Sequence, residues 1–477
     1  MGHGDRLPRE WREGASVETV LERLASLSKG DADPWSGRMF THTYDTGLPE
    51  VLRVGWEAFK LYRDKTMLDF TVYPSLLDLE RELVGFVGAL MNAPEGFSGA
   101  FTYGGTESII VSALAAREHW RRRGGRGRGR IVLPATGHPA FDKAAYLLGL
   151  EAVRVPVDPE TLTADPAVVS EALGPDTVMV VASAVDYPFG GLDPVAEIGE
   201  EAEARDVWLH VDACLGGMVL AFASDLGEDV PPFDFRVEAV KSMSVDMHKY
   251  GYSPKGASLA LFRSPELRAP TVFVDANWPG YPLVNEAILS TRSAAPLAAA
   301  WAVARLLGYE GYKRAAGAVL EARRAIERGV EELGFRVLGR PRAGVMAFTS
   351  DEVDIFDAAS RLARAGWVVQ LQPGNRRLGY PPSIHLTVSP VHARVVDEFL
   401  EALEEAARGA QPPRFEAEQL IESLGFEGLL GLAAEASSGG LDESMLRLVD
   451  ELIHLLEPAQ AEELIRQAVL RLFQPRL

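Results

Sequence analysis

Four short stretches carry residues able to do covalent and acid–base chemistry, and they come in an informative order. Tyr103-Gly104-Gly105-Thr106-Glu107-Ser108 runs straight into the apolar-periodic segment IIVSALAARE. Glycines let a backbone approach an anion, a helix start presents free N–H groups, and Thr106 and Ser108 add hydroxyls. The same run also reads as an ordinary Gly-Gly turn with a threonine cap. His138 follows the apolar run IVLPA, at a strand's C-terminal end, where open α/β sheets bind ligands. An isolated histidine is more often a satisfied core or surface residue than a ligand contact. Asp212 closes VWLHVDA. A carboxylate at the end of a buried strand is costly unless something positive meets it; a pyridinium nitrogen is one such partner, and a helix cap is the other reading. Lys249 lies in SVDMHKYGY, after the apolar run KSMSV. Lysine is rarely buried, and a desolvated one has a lowered pKa and a neutral amine able to attack an aldehyde. The plain alternative is a snorkelling surface lysine. Anion cradle, ring, buried acid and lysine together describe one ligand, pyridoxal 5'-phosphate, whose protonated ring acts as an electron sink.

The elements that must position these residues are legible in the pattern. From about 99 to 265, short β-branched runs alternate with helical stretches: IVLPA at 131, TVMVVASA at 177, VWLHVDA at 207, KSMSV at 241 and SLALFRS at 258. Strands spaced by helices predict crossover units and a mostly parallel sheet, and VMVV and LALF, apolar on both faces, suit central strands. Residues 16–30, 47–63 and 74–92 have helical periodicity. After 284, an Ala-rich helix over 294–307 precedes GVMAFTS, WVVQLQ and IHLTVSP, the look of a smaller α+β domain. A Gln-Pro-Pro break at 411–413 ends it, and the rest reads as an acidic helical extension, either a partner-binding or dimer-bracing appendage or a cap on the body. The predicted division is 1–92 (N-terminal helical segment), 93–283 (large cofactor-binding domain), 284–410 (small C-terminal domain) and 411–477 (extension).

Composition bounds the alternatives. The 477 residues, 47% hydrophobic and 24% charged, fit a globular protein of two or three domains. No apolar run is long enough to span a membrane, and MGHGDRLPREWREG lacks the apolar core of a secretory signal. The single cysteine, Cys214, precludes an internal disulfide and suits a reducing compartment, so a cytoplasmic location is expected. A net charge of -20 argues against nucleic-acid and anionic-membrane partners. The six arginines of RRRGGRGRGR (121–130) read as a solvated loop. No metal site is expected, since the nine histidines form no close ligand cluster. Cys214 reads as a small packed residue and not as a nucleophile.

HVDACLGG (210–217), PFDFRVEAVKSMSVDMHKYGYSPKGAS (232–258) and YGGTES (103–108) resemble sphingosine-1-phosphate lyase, a member of the group II amino-acid decarboxylases among the fold-type-I pyridoxal-phosphate enzymes. The resemblance covers roughly 35–410. It implies the α/β fold of type I, with a large seven-stranded, mostly parallel sheet domain and a small α+β C-terminal domain. It also implies that Lys249 holds the cofactor as a Schiff base, that Asp212 bonds the pyridine nitrogen and that His138 stacks on the ring. Gly104, Gly105, Thr106, Ser183 and His248 join them as cofactor-binding candidates. A homodimer with shared active sites is implied, Thr291 and Arg292 standing where a loop reaches into the neighbouring subunit.

The substrate side departs from the lyases. Where they carry Asn-Pro-Leu-His, this chain has Thr66-Met67-Leu68-Asp69, and an aspartate there repels a phosphate. A lyase tyrosine is Phe40, and Tyr-Ala-Ser-Pro reads Leu283-Val284-Asn285-Glu286. Phe40, Asp69 and Asn285 are therefore substrate candidates, and a small amine or amino acid other than sphingosine 1-phosphate is the expected substrate. The first expectation is a carbon–carbon lyase: the substrate amine displaces Lys249, and retro-aldol cleavage of Cα–Cβ follows. Lys249, Lys255 and Tyr250 are the candidates for proton transfer. Amino-acid decarboxylation is the alternative, and a non-catalytic scaffold of the same fold is the reading from another class.

Overall fold

The computed structural model describes residues 9–375, 377–410 and 456–474. The extension expected over 411–477 lies outside the described residues except for the helix Pro458–Leu472 and its flanks, as do residues 1–8 of the chain's start.

Seven strands form the main sheet: β1 (Ser98–Thr102), β2 (Arg130–Pro134), β3 (Glu151–Val155), β4 (Thr177–Ser183), β5 (Trp208–Asp212), β6 (Val240–Asp246) and β7 (Ser258–Phe262). Their order is β1-β7-β6-β5-β4-β2-β3. Only β7 runs antiparallel to its neighbours, so the sheet is mostly parallel, as expected. The five runs read as strands became β2, β4, β5, β6 and β7. The other two, SGAFT and EAVRV, are the sheet's edges. β3 keeps an exposed glutamate and arginine, so it lacks the doubly apolar run that marks a central strand.

Side chains alternate across the sheet, and the two faces differ. Leu209, Val211, Met243 and Val245 join one apolar cluster, whereas Trp208 faces the other with Ile131, Leu133, Met179 and Val181. The helix Gly105–Arg122 covers that second face through Ile109, Ile110 and Ala113. It begins at the glycine pair after β1, so the predicted cradle sits at a helix N-terminus. Of the arginine-rich stretch read as a loop over 121–130, only 123–129 lie between this helix and β2; Arg121 and Arg122 end the helix and Arg130 begins the strand.

Further helices follow the sequence pattern. Ser75–Leu90 buries Leu76, Leu79, Leu83 and Val87, three or four residues apart. Ala295–Glu332 is a 38-residue helix kinked at Gly308, whose φ of 56° suits glycine. Val345–Thr349 pairs antiparallel with Arg336–Val337 and with Ser383–Thr387, and Phe273–Asp275 pairs with Leu283–Asn285 as a hairpin.

By compactness the chain divides into two units. One is Phe40–Thr349 with Ile384–Glu401, and it holds the large sheet. The other comprises the described residues before Phe40, Ser350–Ser383 and those from Ala402 on. Within it, the Arg38 guanidinium lies 4.8 Å from the centre of the Trp367 ring. These units cut across the segments read from sequence, since 40–92 and 284–349 belong with the large sheet. No helix among the described residues is long and apolar enough to cross a membrane.

Candidate active site

The strand ends converge on a cavity of about 530 Å³ in the larger unit. Gly104, Gly105, Thr106, His138, Ser183, Asp212, His248 and Lys249 all line it, so residues spread over 146 positions of sequence meet. β5 delivers Asp212 at its last position, and β6 ends at Asp246, three residues before Lys249.

Lys249 is largely buried, with its Nζ 3.0 Å from Asp246 Oδ2. A depressed amine was expected, and the structure reverses this. Desolvation, the largest influence, pulls the Lys249 pKa down, but Asp246, Cys214, Tyr44 and Asp212 together raise it above the ordinary lysine value. Burial pushes Asp246 up, yet the charges of Lys249 and His248 outweigh it and hold that carboxyl below its usual range. Asp246 was missed, although it stood inside the motif quoted for Lys249. Its signal was the i, i+3 spacing to the lysine.

Asp212 is buried and accepts at Oδ1 from the Cys214 N–H at 3.1 Å and the Ser244 hydroxyl at 3.2 Å. Both bonds land on the same oxygen, which leaves Oδ2 for another donor. His138 accepts at Nδ1 from the Ala140 N–H at 3.1 Å, so its own proton sits on Nε2. Burial holds its pKa below the usual histidine value, against the pull of Asp212. Burial also pushes the Cys214 thiol well up, so it is a packed, protonated neighbour of the acid.

Gly105 is required by close approach. A Cβ there would lie 2.9 Å from both Asp246 oxygens and from Cys214 Sγ. Gly104 has a φ of 138°, which disfavours any other residue. Glu107 braces the cradle, its two oxygens accepting from Tyr103 N and Ile288 N at 2.7 Å each. Asp186 and Tyr187 also line the cavity and were not anticipated. They follow β4 without any local motif to mark them.

Other candidates lie elsewhere. Phe40 is fully buried and stacks on His392 at 3.8 Å. Asp69 is exposed and accepts from Thr71 N and Oγ1 in a local turn. Asn285 accepts from Arg292 and Ala287, and Glu286 pairs with Arg268. None of the four lines the cavity, so the substrate assignments made from sequence are not supported within one chain. Tyr250 is buried and donates to the Val388 carbonyl at 2.9 Å, outside the cavity. Lys255 Nζ lies 3.4 Å from the His248 carbonyl oxygen and 4.9 Å from the centre of the Tyr44 ring. Desolvation, then the charge of Lys249, brings its pKa down to about 8. Thr291 is exposed, and Arg292 donates to the carbonyls of Leu289 and Ser290 in its own loop.

The site fits pyridoxal phosphate. Gly105 keeps open a space that a side chain would fill, beneath a helix N-terminus suited to a phosphate. Asp212 offers a carboxylate oxygen, and Asp246 Oδ1 is buried without a hydrogen-bond donor in a site that accepts positive charge.

Residues 38–350 match the pyridoxal-dependent decarboxylase conserved domain. The sphingosine-1-phosphate lyase of Dictyostelium discoideum is 35% identical over 397 residues, 83% of this chain and 73% of that protein. The Arabidopsis thaliana sphingosine-1-phosphate lyase is also 35% identical, over 402 residues, 83% of this chain and 72% of that protein. Among solved structures, the Burkholderia pseudomallei sphingosine-1-phosphate lyase superposes with a TM-score of 0.79 at 34% identity, covering 90% of this chain and 96% of that one. Lactobacillus brevis glutamate decarboxylase shares the fold, with a TM-score of 0.75 at 21% identity over 87% of this chain and 98% of that one. The chain belongs to the pyridoxal-dependent decarboxylase family, as a sphingosine-1-phosphate lyase-like member and a pyridoxal-phosphate-dependent lyase.

Proposed function

We propose that the protein cleaves the Cα–Cβ bond of an amino-alcohol or amino-acid substrate and releases an aldehyde. Identity of about a third to the lyases over most of the chain supports this reaction, and the Lys249–Asp246 pair supports its proton chemistry. Bound pyridoxal phosphate supplies an electron sink conjugated to the substrate's Cα.

The chain's own residues supply the rest. Asp212 would hold the ring nitrogen's proton through Oδ2, its carboxylate being fixed at Oδ1. The helix N-terminus with Gly104, Gly105 and Thr106 would hold the phosphate, and neutral His138, which lines the same cavity, would meet the ring. With its amine free, Lys249 would take the proton of a substrate Cβ hydroxyl at Nζ. Asp246, 3.0 Å away, stabilises the ammonium so formed, which is why a raised lysine pKa suits a base here. Tyr250 plays no such part, since its hydroxyl is committed to a backbone carbonyl. Lys255, whose pKa desolvation and the charge of Lys249 bring down to about 8, lies outside the cavity lining, so Lys249 is the proton-transfer group read here.

The match to the decarboxylase domain favours a second reading, in which carbon dioxide leaves. Product analysis separates the two. Incubation with an amine and amino-acid panel should give an aldehyde trapped by hydrazine, and carbon dioxide without aldehyde would replace the first reading with the second. The finer reading, that sphingosine 1-phosphate is not the substrate, rests on Phe40, Asp69 and 283–286, and turnover of that compound at ordinary enzyme rates would remove it. We read the protein as a cytoplasmic homodimer in which Thr291 and Arg292 complete the partner's site. The exposed apolar surface of Phe273, Val274 and Val284 supports a partner there.

A further inference from the structure

Behind the Ser244–Asp212 bond runs a buried line of polar side chains, Trp208, Ser242 and His210, that no step above uses. On β5, Trp208, His210 and Asp212 share one face, and the register sets His210 beside Ser242 and Asp212 beside Ser244 on β6. All five are buried. Trp208 Nε1 donates to Ser242 Oγ at 2.8 Å, and Ser242 Oγ lies 2.8 Å from His210 Nδ1. His210 Nε2 lies 3.3 Å from Ser244 Oγ, which donates to Asp212 Oδ1 at 3.2 Å.

Donor chemistry gives this line a single direction. An indole N–H only donates and a carboxylate only accepts, so the two ends are fixed. Ser244 spends its one hydrogen on Asp212 and must accept from His210, which places the ring proton on Nε2. Nδ1 then accepts from Ser242, which in turn accepts from Trp208. The protonated thiol of Cys214, also beside Ser244, is a far weaker acceptor than the carboxylate. Burial brings the His210 pKa down to about 4, so the imidazole carries one proton at neutral pH, as the line requires.

We infer that Trp208, Ser242, His210 and Ser244 form a one-way hydrogen-bond relay that positions Asp212, pinning Oδ1 so that Oδ2 meets the cofactor's ring nitrogen. These are positioning residues, and the inference depends on the cofactor rather than on which substrate bond is cleaved. Alternatives elsewhere in a β-strand would be apolar; five polar groups in one buried row are costly unless each is satisfied.

The test uses full-length holoenzyme. With 15N-histidine labelling, His210 should show a protonated Nε2 and a bare Nδ1 from pH 5.5 to 8.5, His210→Gln identifying its resonances. The opposite tautomer, or an imidazolium, overturns the relay. With cofactor labelled at the pyridine nitrogen, Ser244→Ala should move that resonance toward the neutral-pyridine position and weaken cofactor binding about tenfold. kcat should fall with KM changed less than about twofold, and Ser244→Thr should restore the resonance. An unmoved pyridine resonance in Ser244→Ala also overturns the inference. Should that variant fail to fold, Trp208→Phe must shift the His210 Nδ1 resonance of the holoenzyme, and an unshifted one counts equally against it.

Discussion

Two regions of the larger unit border the same cavity and are built on opposite terms. Around Lys249 and Asp212, charged groups are buried and each has a specified partner from the same chain: ammonium on carboxylate, hydroxyl and amide on carboxylate. From Phe273 to Arg292 the chain is a short hairpin and loop that leave Val274, Val284, Ile288 and Leu289 more than half exposed. Ile288 and Leu289 nonetheless line the cavity. One side is a set of buried, paired charges, whereas the other leaves apolar side chains exposed, as the proposed homodimer interface would require. The cavity's charged wall is thus held by strand ends and its apolar wall in part by a loop.

The sharpest way to break this contrast is Lys249→Ala. Activity should fall by about a thousandfold or more, and borohydride should fix no cofactor on the chain. Asp212→Asn comes next. Removing one partner of a buried ion pair costs about two powers of ten or more in kcat/KM, and the holoenzyme's absorption spectrum should change with it. A spectrum and rate like the wild type's would mean that another group meets the ring nitrogen.

On the other side, Val274→Ser with Val284→Ser should weaken self-association about tenfold, read by light scattering across a dilution series, while borohydride still traps cofactor on Lys249. A wild-type protein that is monomeric throughout would dismiss the interface. A smaller effect concerns Asp186, which burial pushes up to about 8. Between about pH 4 and 8 the folded chain keeps a proton that the unfolded chain has released, so this group's stabilisation is lost as pH rises through that window. The melting temperature of Asp186→Asn relative to wild type should therefore climb from pH 5 to pH 9; a constant difference would count against the shifted group. Asp69→Asn is expected to do least. Its side chain is exposed in a local turn, so kcat/KM should stay within about twofold, and a larger change would bring position 69 into the substrate site of the assembled protein.

What could be read from the chain beforehand was whatever a local pattern encodes. β4 and β7 announced themselves because central strands are apolar on both faces, and Lys249 and Asp212 because charges rarely end such runs. The edge strands β1 and β3 did not, being short and half polar. Direction of charge effects was harder still. Burial alone would depress Lys249; Asp246, three residues away, opposes this locally, and the fold adds Asp212. Tyr250 and Phe40 illustrate the converse, since residues adjacent to a motif, or aligned with a functional one, turned into the core. Asp186 and Tyr187 enter the cavity by the path of the chain after β4, which no short-range signal specifies.

Glu107 links the two regions through main-chain atoms alone, gripping Tyr103 N with one oxygen and Ile288 N with the other. The anchor ignores which side chain stands at 288, so the loop's course is constrained while its composition is free. Loop grafts across 287–290 could thus reshape the cavity's apolar wall while the strand-end charges keep their partners, provided Glu107 stays.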